Sequence, residues 1–146
     1  MPPIRVYLVR HARAEASAGD DDARRLTPEG REGFAALVAR LRARLAIRGV
    51  LASPLVRARE TAGLLAAAAR APVEEDPRLA AGACGGAELL ALARAAGDGA
   101  ALVGHNPEVA EAVALAAGRG LEVRPGTIAA VDLGPASAAL AWLEAP

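Results

Sequence analysis

The two histidines of the chain, His11 and His105, each directly follow a short apolar segment that is typical of a β-strand. Arg10 precedes the first histidine, and Arg57 follows a third such segment by a few residues. An imidazole can act as a nucleophile or exchange protons near neutral pH. A guanidinium binds phosphate oxygens through two parallel hydrogen bonds. Together these residue types predict a cationic site suited to phosphoryl chemistry.

The rest of the composition limits the other functions that the chain could have. Lys+Arg and Asp+Glu are balanced at 17 each, which argues against general nucleic-acid binding. The single cysteine, Cys84, excludes an intramolecular disulfide framework and a zinc site made of cysteines alone. The apolar segments are too short to span a bilayer, and residues 1–9 lack the layout of a signal peptide. We therefore expect a soluble, cytoplasmic protein that contacts neither a membrane nor nucleic acid.

Strand and helix patterns alternate along the chain. Strands are predicted over residues 4–9, 49–52, 72–75 and 100–104, and two closing strands, 127–133 and 138–143, predict a hairpin. Three helix starts show a capping residue followed by proline: Thr27-Pro28, Ser53-Pro54 and Asn106-Pro107. A further helix is predicted over residues 87–96, and residues 10–26 are predicted to form a loop. The alternation predicts an α/β three-layer sandwich, with a mainly parallel central sheet and helices on both faces, as a single domain over residues 1–146.

The helices have recognisable ends and buried faces. The first is predicted to begin at Thr27 and to bury five residues at helical spacing: Phe34, Leu37, Val38, Leu41 and Leu45. The second is predicted to run from the Ser53 cap to about Arg70, and the last to end near residues 118–120.

These elements place the candidate site residues at one edge of the sheet. Arg10 and His11 follow the first strand, Arg57 lies in the first turn of the helix after the second strand, and His105 follows the strand over residues 100–104. The carboxyl ends of parallel strands share one edge, where open α/β folds form their binding crevice. A lone histidine at a strand end or a lone surface arginine is more often structural. Their coincidence at one edge favours a phosphate site, which helix N-termini would reinforce.

Three segments also resemble motifs of the histidine phosphatase superfamily. The sequence Val9-Arg10-His11-Ala12 resembles its Arg-His-Gly signature, and the segment over residues 52–62 resembles its Ser-Pro-x-x-Arg-Ala-x-x-Thr motif. The sequence Gly104-His105-Asn106-Pro107 resembles the motif of its second histidine. The resemblance covers nearly the whole chain. Because the large helical insertion of phosphoglycerate mutases is absent, the chain is most similar to the SixA-type phosphohistidine phosphatases, which the segment over residues 26–30 also resembles.

One position departs from the family pattern, since Ala12 stands where the signature has glycine. Alanine adds one methyl group and restricts φ, so it fits only if the backbone there keeps an ordinary conformation.

The resemblance implies a histidine phosphatase-like fold and a role for each core residue. His11 would be a neutral nucleophile that forms a transient phosphohistidine, with one ring nitrogen donating to a backbone carbonyl. Arg10, Arg57 and a protonated His105 would hold the phosphoryl group. No metal ion or other cofactor is implied, because these cations would take the place of magnesium.

The proton donor to the leaving group has several candidates. In the short subgroup it comes from the first long loop, where Asp21 is the best positional match and Asp20 and Asp22 are rivals; adjacent loop aspartates can equally be only solvated. Arg24 could add a phosphate contact. Other reactive side chains lack a positional argument of this kind: Glu15, Glu88 and Cys84.

The resulting hypothesis is a metal-independent phosphatase. Without a large insertion the site would be open, so its substrate could be a phosphorylated protein carrying phosphohistidine or a small phosphomonoester. Two alternatives stay open: a small-molecule phosphatase of the mutase-like branch acting on sugar or nucleoside phosphates, and a phosphate-binding module without turnover. The oligomeric state does not follow from the sequence.

Overall fold

The computed structural model describes residues 2–16 and 19–146 of the chain. Residue 1 and residues 17–18 lie outside this description, including that part of the loop predicted over residues 10–26. The described residues contain six strands: β1 (Ile4–Arg10), β2 (Gly49–Ala52), β3 (Val73–Glu75), β4 (Ala100–Gly104), β5 (Ile128–Gly134) and β6 (Ser137–Glu144). The same residues contain four α-helices: α1 (Pro28–Leu41), α2 (Val56–Ala69), α3 (Gly86–Ala96) and α4 (Glu108–Ala117). Short 3₁₀ turns cover Asp21–Ala23, Arg42–Arg44 and Pro77–Leu79.

The strands form one mixed sheet in the order β3-β2-β4-β1-β5-β6. The first four strands of this order are mutually parallel, β5 is antiparallel to β1, and β6 is antiparallel to β5. The predicted mainly parallel sheet and closing hairpin are therefore confirmed.

Alternation along β1 separates the two faces of the sheet. Tyr7 and Val9 belong to a core cluster with α1 and α2, whereas Val6 and Leu8 belong to a second cluster with α3 and α4. Because successive side chains of a strand point to opposite faces, a continuously apolar strand must be covered on both sides. The predicted three-layer arrangement follows from this burial.

Helix α1 begins as predicted and ends earlier. The Thr27 hydroxyl accepts a hydrogen bond from the Gly30 amide at 2.9 Å, and Pro28 occupies the first helical position. The prediction that the helix continues to Leu45 is wrong. The chain changes to a 3₁₀ turn after Leu41, and Leu45 packs against the same core from extended backbone. The apolar spacing therefore persists beyond the α-helical hydrogen bonding.

Two helix starts differ from prediction. Helix α2 begins at Val56, with Leu55 as its N-cap and without a capping side-chain hydrogen bond, so the predicted capping role of Ser53 is wrong. Helix α4 begins at Glu108 rather than at Pro107, although the Asn106 side-chain oxygen still accepts from the Ala110 amide at 3.1 Å.

The helices are all confined to this sandwich: within residues 2–16 and 19–146, none is both long enough and apolar enough to cross a membrane.

Candidate active site

The candidate site lies where three neighbouring parallel strands end. In the sheet β4 lies between β2 and β1, and Arg10 at the end of β1 is in register with Gly104 at the end of β4. The His11 amide donates to the Gly104 carbonyl at 3.0 Å, and the Ser53 amide donates to the Val103 carbonyl at 3.0 Å. These hydrogen bonds continue the ladder beyond the strands, so the backbone that carries both histidines is held to the sheet.

The ring of His11 is oriented by the residue that follows it. Its Nδ1–H donates to the Ala12 carbonyl oxygen at 2.7 Å, which confirms the predicted bond to a backbone carbonyl. Since a carbonyl can only accept, the ring proton of neutral His11 sits on Nδ1 and the lone pair of Nε2 is available for attack. Burial, and to a smaller extent the nearby cations of Arg57 and Arg10, lower the pKa of His11 to about 4 against the opposing effect of the Ala12 bond. The imidazole is therefore neutral at physiological pH.

The second imidazole lies beside the first, with the two ring centroids 5.2 Å apart. His105 Nε2 lies 2.7 Å from Ser53 Oγ, and that oxygen accepts from the Leu55 amide at 3.2 Å. Because a hydroxyl can both donate and accept, this contact fits either tautomer of neutral His105 and fixes the orientation of the ring. Burial, followed by repulsion from His11 and Arg57, lowers the pKa of His105 to about 3. The His105 imidazole is therefore neutral at physiological pH in this structure, and its protonation in contact with a phosphoryl group stays a prediction.

Both predicted arginines are held by backbone carbonyls of neighbouring loops. Arg10 Nη1 donates to the Val123 carbonyl at 2.9 Å, and Arg57 Nη1 donates to the Asp21 carbonyl at 2.9 Å. Burial lowers the pKa of each guanidinium, and both stay protonated at physiological pH because guanidinium titrates only in strong base. The edge therefore carries two fixed positive charges next to two neutral imidazoles.

Four buried nitrogens at this edge lack a hydrogen-bond partner among the residues that the structure describes. They are His105 Nδ1, Arg10 Nε, Arg57 Nε and Arg24 Nε, the last of which lies 2.9 Å from the Asp21 carboxylate. A buried polar group without a partner costs about 1–3 kcal/mol, so native structures rarely leave one unexplained. The unpaired guanidinium donors and the positive charge of the arginines fit a bound oxyanion such as phosphate.

Asp21 reaches this group of residues from the loop before α1. Its carboxylate lies 3.4 Å from Arg57 Nη2 and 2.9 Å from Arg24 Nε. The structure thus brings both Asp21 and Arg24 to the predicted site, with the aspartate side chain 56% exposed.

The remaining acidic candidates have structural roles elsewhere. Asp20 accepts from the Asp22 amide at 3.0 Å and caps the short 3₁₀ turn, while Asp22 is exposed. Glu15 accepts from the Arg25 amide, and Glu88 accepts from the Gly85 amide at the start of α3. Among the three adjacent aspartates, Asp21 is the one in contact with Arg57.

Cys84 packs partly buried against the core cluster of α3 and α4. Burial raises the pKa of its thiol, and nearby Glu108 and Glu88 raise it further. The thiol is therefore protonated at neutral pH and a poor nucleophile.

Sequence reasoning missed the role of Thr61, which joins α2 to the loop after His11. Its hydroxyl accepts from the Ala12 amide at 3.0 Å and donates to the Arg57 carbonyl at 2.8 Å. Ala12 is buried and is not among the residues with positive φ, so its methyl group is compatible with the local backbone. Ser53 was also missed as a site residue, because its position before proline indicates a helix cap.

No group of three or more histidine, cysteine, aspartate or glutamate side chains in the described part of the chain is arranged to hold a metal ion.

Comparison with known proteins identifies relatives of this arrangement. The sequence profile of the histidine phosphatase superfamily (branch 1) matches residues 6–122. No curated protein matches the chain. The structure of the protein histidine phosphatase SixA complexed with tungstate has a TM-score of 0.85 and 26% identity, over 98% of this chain and 97% of that chain.

Two further solved structures are similar. A candidate phosphohistidine phosphatase SixA from Nakamurella multipartitia has a TM-score of 0.83 and 27% identity, over 100% of this chain and 99% of that chain. A candidate α-ribazole-5′-phosphate phosphatase from Escherichia coli shares the fold, with a TM-score of 0.76 and 19% identity, over 97% of this chain and 96% of that chain.

Proposed function

The chain belongs to branch 1 of the histidine phosphatase superfamily, and from this premise we propose that it hydrolyses phosphohistidine or phosphomonoesters through a transient phosphohistidine on His11. Family membership supports a phosphatase; the substrate class and the roles of individual residues are the proposal.

The orientation of His11 carries the proposal. Its Nδ1–H is committed to the Ala12 carbonyl, and its lowered pKa leaves Nε2 unprotonated at neutral pH. A nucleophile must have its lone pair available and must already point at the reacting atom. The Ala12 bond and the lowered pKa support the first condition, and the same bond fixes the direction in which Nε2 points.

In the first step Nε2 of His11 attacks phosphorus, and the bond between phosphorus and the leaving nitrogen or oxygen breaks. The leaving atom takes the bonding electron pair and a proton. Arg10 and Arg57 neutralise charge on the equatorial oxygens, a role that electrostatic catalysis of phosphoryl transfer requires. In the second step water attacks phosphorus and gives a proton back to the group that protonated the leaving atom. The bond between His11 Nε2 and phosphorus breaks, its electron pair returns to Nε2, and inorganic phosphate forms.

We assign His105 a role in this reaction that depends on its protonation. It is neutral in the empty site because its pKa is depressed to about 3. A dianionic phosphoryl group close to Nδ1 favours the charged ring, so binding raises the pKa of His105. The imidazole then holds the phosphoryl group as a donor on Nδ1, with Ser53 keeping the ring in place.

Asp21 is our candidate for the proton donor. The aspartate is mostly exposed, lies on the loop above Arg57, and is held there through both its carbonyl and its carboxylate. A phosphohistidine leaving group departs readily once protonated, so a modest, loop-borne acid suffices.

For the substrate we favour a phosphohistidine side chain presented by another protein. The support is the similarity to SixA structures over nearly the full length of both chains, at 26% and 27% identity. The small-molecule phosphatase and the module without turnover remain the two alternatives, and one assay separates all three.

The assay compares a phosphohistidine protein, a chromogenic aryl phosphate and a panel of sugar and nucleoside phosphates, each with and without excess EDTA. We expect turnover of the phosphohistidine protein with the highest kcat/KM, and turnover of the aryl phosphate as well. A higher kcat/KM for one sugar or nucleoside phosphate would favour the mutase-like branch. Binding of phosphate without any turnover would favour the module, and loss of activity in EDTA would contradict the metal-independent mechanism.

The covalent step is tested by alkaline quench and intact-protein mass spectrometry, since phosphohistidine survives base. We expect one added phosphoryl group on the wild-type chain during turnover. His11→Ala should show neither the adduct nor turnover while keeping its melting temperature within a few degrees. Full activity in this variant would overturn the assignment of His11.

A further inference from the structure

Glu60 lies on α2 three residues after Arg57, so the two side chains leave the helix on the same side. Its carboxylate is 16% exposed and contacts the loop that carries Asp21, here called the Asp21 loop (residues 19–26). We propose that Glu60 is a positioning residue, which holds this loop so that the Asp21 carboxylate stays at the site. The inference rests on the proposed phosphatase function and adds to it a residue that affects departure of the leaving group through Asp21.

The Asp21 loop has a fixed base at Leu26. Ala14 and Leu26 form an antiparallel bridge, and the Glu15 amide donates to the Arg25 carbonyl at 2.9 Å. The Leu26 side chain is buried in the core cluster that contains α1 and α2. The position of Leu26 therefore determines where the loop leaves the core.

Helix α2 holds the Asp21 loop at two points. Glu60 Oε1 accepts from the Leu26 amide at 2.8 Å, and Arg57 Nη1 donates to the Asp21 carbonyl at 2.9 Å. Because both anchors belong to one turn of a helix, they fix the base of the loop relative to Asp21. Without the Glu60 acceptor, the Leu26 amide would have to find another partner, and the base of the loop would shift. The Asp21 carboxylate would then lose its fixed place 3.4 Å from Arg57 Nη2.

The hydrogen bond to Leu26, rather than the charge of Glu60, carries this role. Glu60 Oε2 lies 2.7 Å from Arg31 Nη2 and 3.8 Å from Arg25 Nε, but these arginine side chains are 45% and 71% exposed. Ion pairs with exposed side chains contribute little, because water and salt screen them. A substitution that keeps the acceptor without the charge should therefore preserve the role of Glu60. One that keeps the charge on a shorter side chain should not.

Steady-state kinetics with aryl phosphates of graded leaving-group acidity tests the proposal. Glu60→Ala should lower kcat/KM about tenfold for poor leaving groups and little for good ones, because even a small displacement of a proton donor is costly. Glu60→Gln keeps an oxygen acceptor and should retain most of the activity. Glu60→Asp keeps the charge but is one methylene shorter, so it should show the pattern of Glu60→Ala at smaller size. It also provides the measurement if Glu60→Ala does not fold.

A double variant shows whether the effect acts through Asp21. In the Asp21→Asn background, Glu60→Ala should cause no further loss, because the proton donor that it displaces is already absent. Glu75→Ala is the matched control, since Glu75 also pairs with an arginine of α2, Arg59, at 3.6 Å, but with both side chains about half exposed. This variant should leave the kinetics unchanged.

Hydrogen exchange measured by NMR reports on the loop without depending on catalysis. In Glu60→Ala the Leu26 amide should exchange faster than in the wild-type chain. So should the amides of Ala23 and Arg24, which are hydrogen-bonded within the 3₁₀ turn of the loop. Glu75→Ala should leave these rates unchanged. If the proposed function fails, no phosphate ester or phosphohistidine is turned over, while the exchange rates still show whether Glu60 holds the loop.

Several results would overturn the proposal. Equal slowing of good and poor leaving groups by Glu60→Ala, or the same loss with and without Asp21→Asn, would mean that Glu60 does not act through Asp21. A Glu60→Gln variant as slow as Glu60→Ala would show that the hydrogen bond to Leu26 is not what matters. Unchanged exchange of the loop amides in Glu60→Ala would show that Glu60 does not hold the loop.

Discussion

His11 and His105 lie side by side, yet their ring nitrogens have opposite surroundings. His11 donates a hydrogen bond from Nδ1 to the Ala12 carbonyl, so its Nε2 is unprotonated. His105 instead contacts the Ser53 hydroxyl through Nε2, and its Nδ1 faces the site. Burial of the two imidazoles, together with the nearby arginines, disfavours protonation of either ring. A dianionic phosphoryl group would reverse this effect, because its negative charge favours protonation of a neighbouring imidazole.

The titration of the two histidines provides the first prediction. In the phosphate-free protein, NMR should show both imidazoles neutral at pH 5, with midpoints near 4 for His11 and near 3 for His105 rather than near 6.5. Saturating vanadate or phosphate should raise the midpoint of His105 above that of the free protein. Because the chain has two histidines, single His→Ala variants assign the signals. A midpoint near 6.5 for either ring without ligand would contradict this account.

Stability should follow the same titration. Both folded-state pKa values lie below the ordinary value, so the unfolded chain binds more protons between about pH 4 and pH 6.5. The free energy of unfolding should therefore fall as the pH drops from 7 to 5, by up to roughly 2 kcal/mol per histidine. Urea unfolding at several pH values measures the slope. His11→Ala should make it smaller, and an unchanged slope would count against the burial of a neutral ring.

Substrates with different leaving groups can show whether Asp21 donates a proton or only positions its neighbours. If Asp21 donates the proton, Asp21→Asn should slow poor leaving groups about 100-fold and good ones little, because good leaving groups depart without protonation. Steady-state kinetics with aryl phosphates of graded leaving-group acidity measures this. Asp22→Asn, a change of an exposed neighbour, is the control and should have no effect. Equal slowing across the series would instead mean that Asp21 positions Arg57 and Arg24, its two ion-pair partners.

Among the secondary-structure elements, helix α2 is important for the site because a site loop is hydrogen-bonded to it. Thr61 lies one helical turn after Arg57 and links that residue to Ala12, so a single hydroxyl holds two of the site segments together. Local sequence patterns could predict where strands end, and hence Arg10, His11, Arg57 and His105. They could not predict Thr61 or Ser53, because the same polar residue beside a helix can cap that helix or bond across the fold. Ser53 precedes a proline as a capping residue does, but its hydroxyl is used by His105.

Thr61 and Thr127 form a matched pair for testing this link. Both are fully buried, but Thr127 Oγ1 has no hydrogen-bond partner within the described part of the chain. Thr61→Val should destabilise the protein by about 2 kcal/mol, since the Ala12 amide loses its buried acceptor, and should lower kcat. Thr127→Val should be neutral or stabilising. Thermal and urea unfolding of both variants measures the difference, and equal effects would show that the Ala12 bond contributes little.

For the whole molecule, the alternation of strands and helices was enough to predict the layers and the edge where the site lies. The Thr27-Pro28 signal located the start of α1, and Gly97 and Gly118 located the ends of α3 and α4. Local sequence patterns could not predict the order of the strands in the sheet, because pairing between β1 and β4 depends on residues far apart in the chain. The change from α-helix to a 3₁₀ turn after α1 could not be predicted either, because Leu45 keeps the apolar spacing of the helix while its backbone is extended.

The central position of β4 has a consequence for the order of events during synthesis. Its pairing with β1 joins Tyr7 to Ala101, and it separates β1 from β2, which precede it in the chain. Contacts between such distant residues slow folding, because the intervening chain must first be closed into a loop. A nascent chain that has left the ribosome only through α3 holds His11 and Arg57 but has neither the strand that spaces them nor His105. We therefore expect such a chain to have no phosphatase activity until β4 has been made and has paired with β1 and β2.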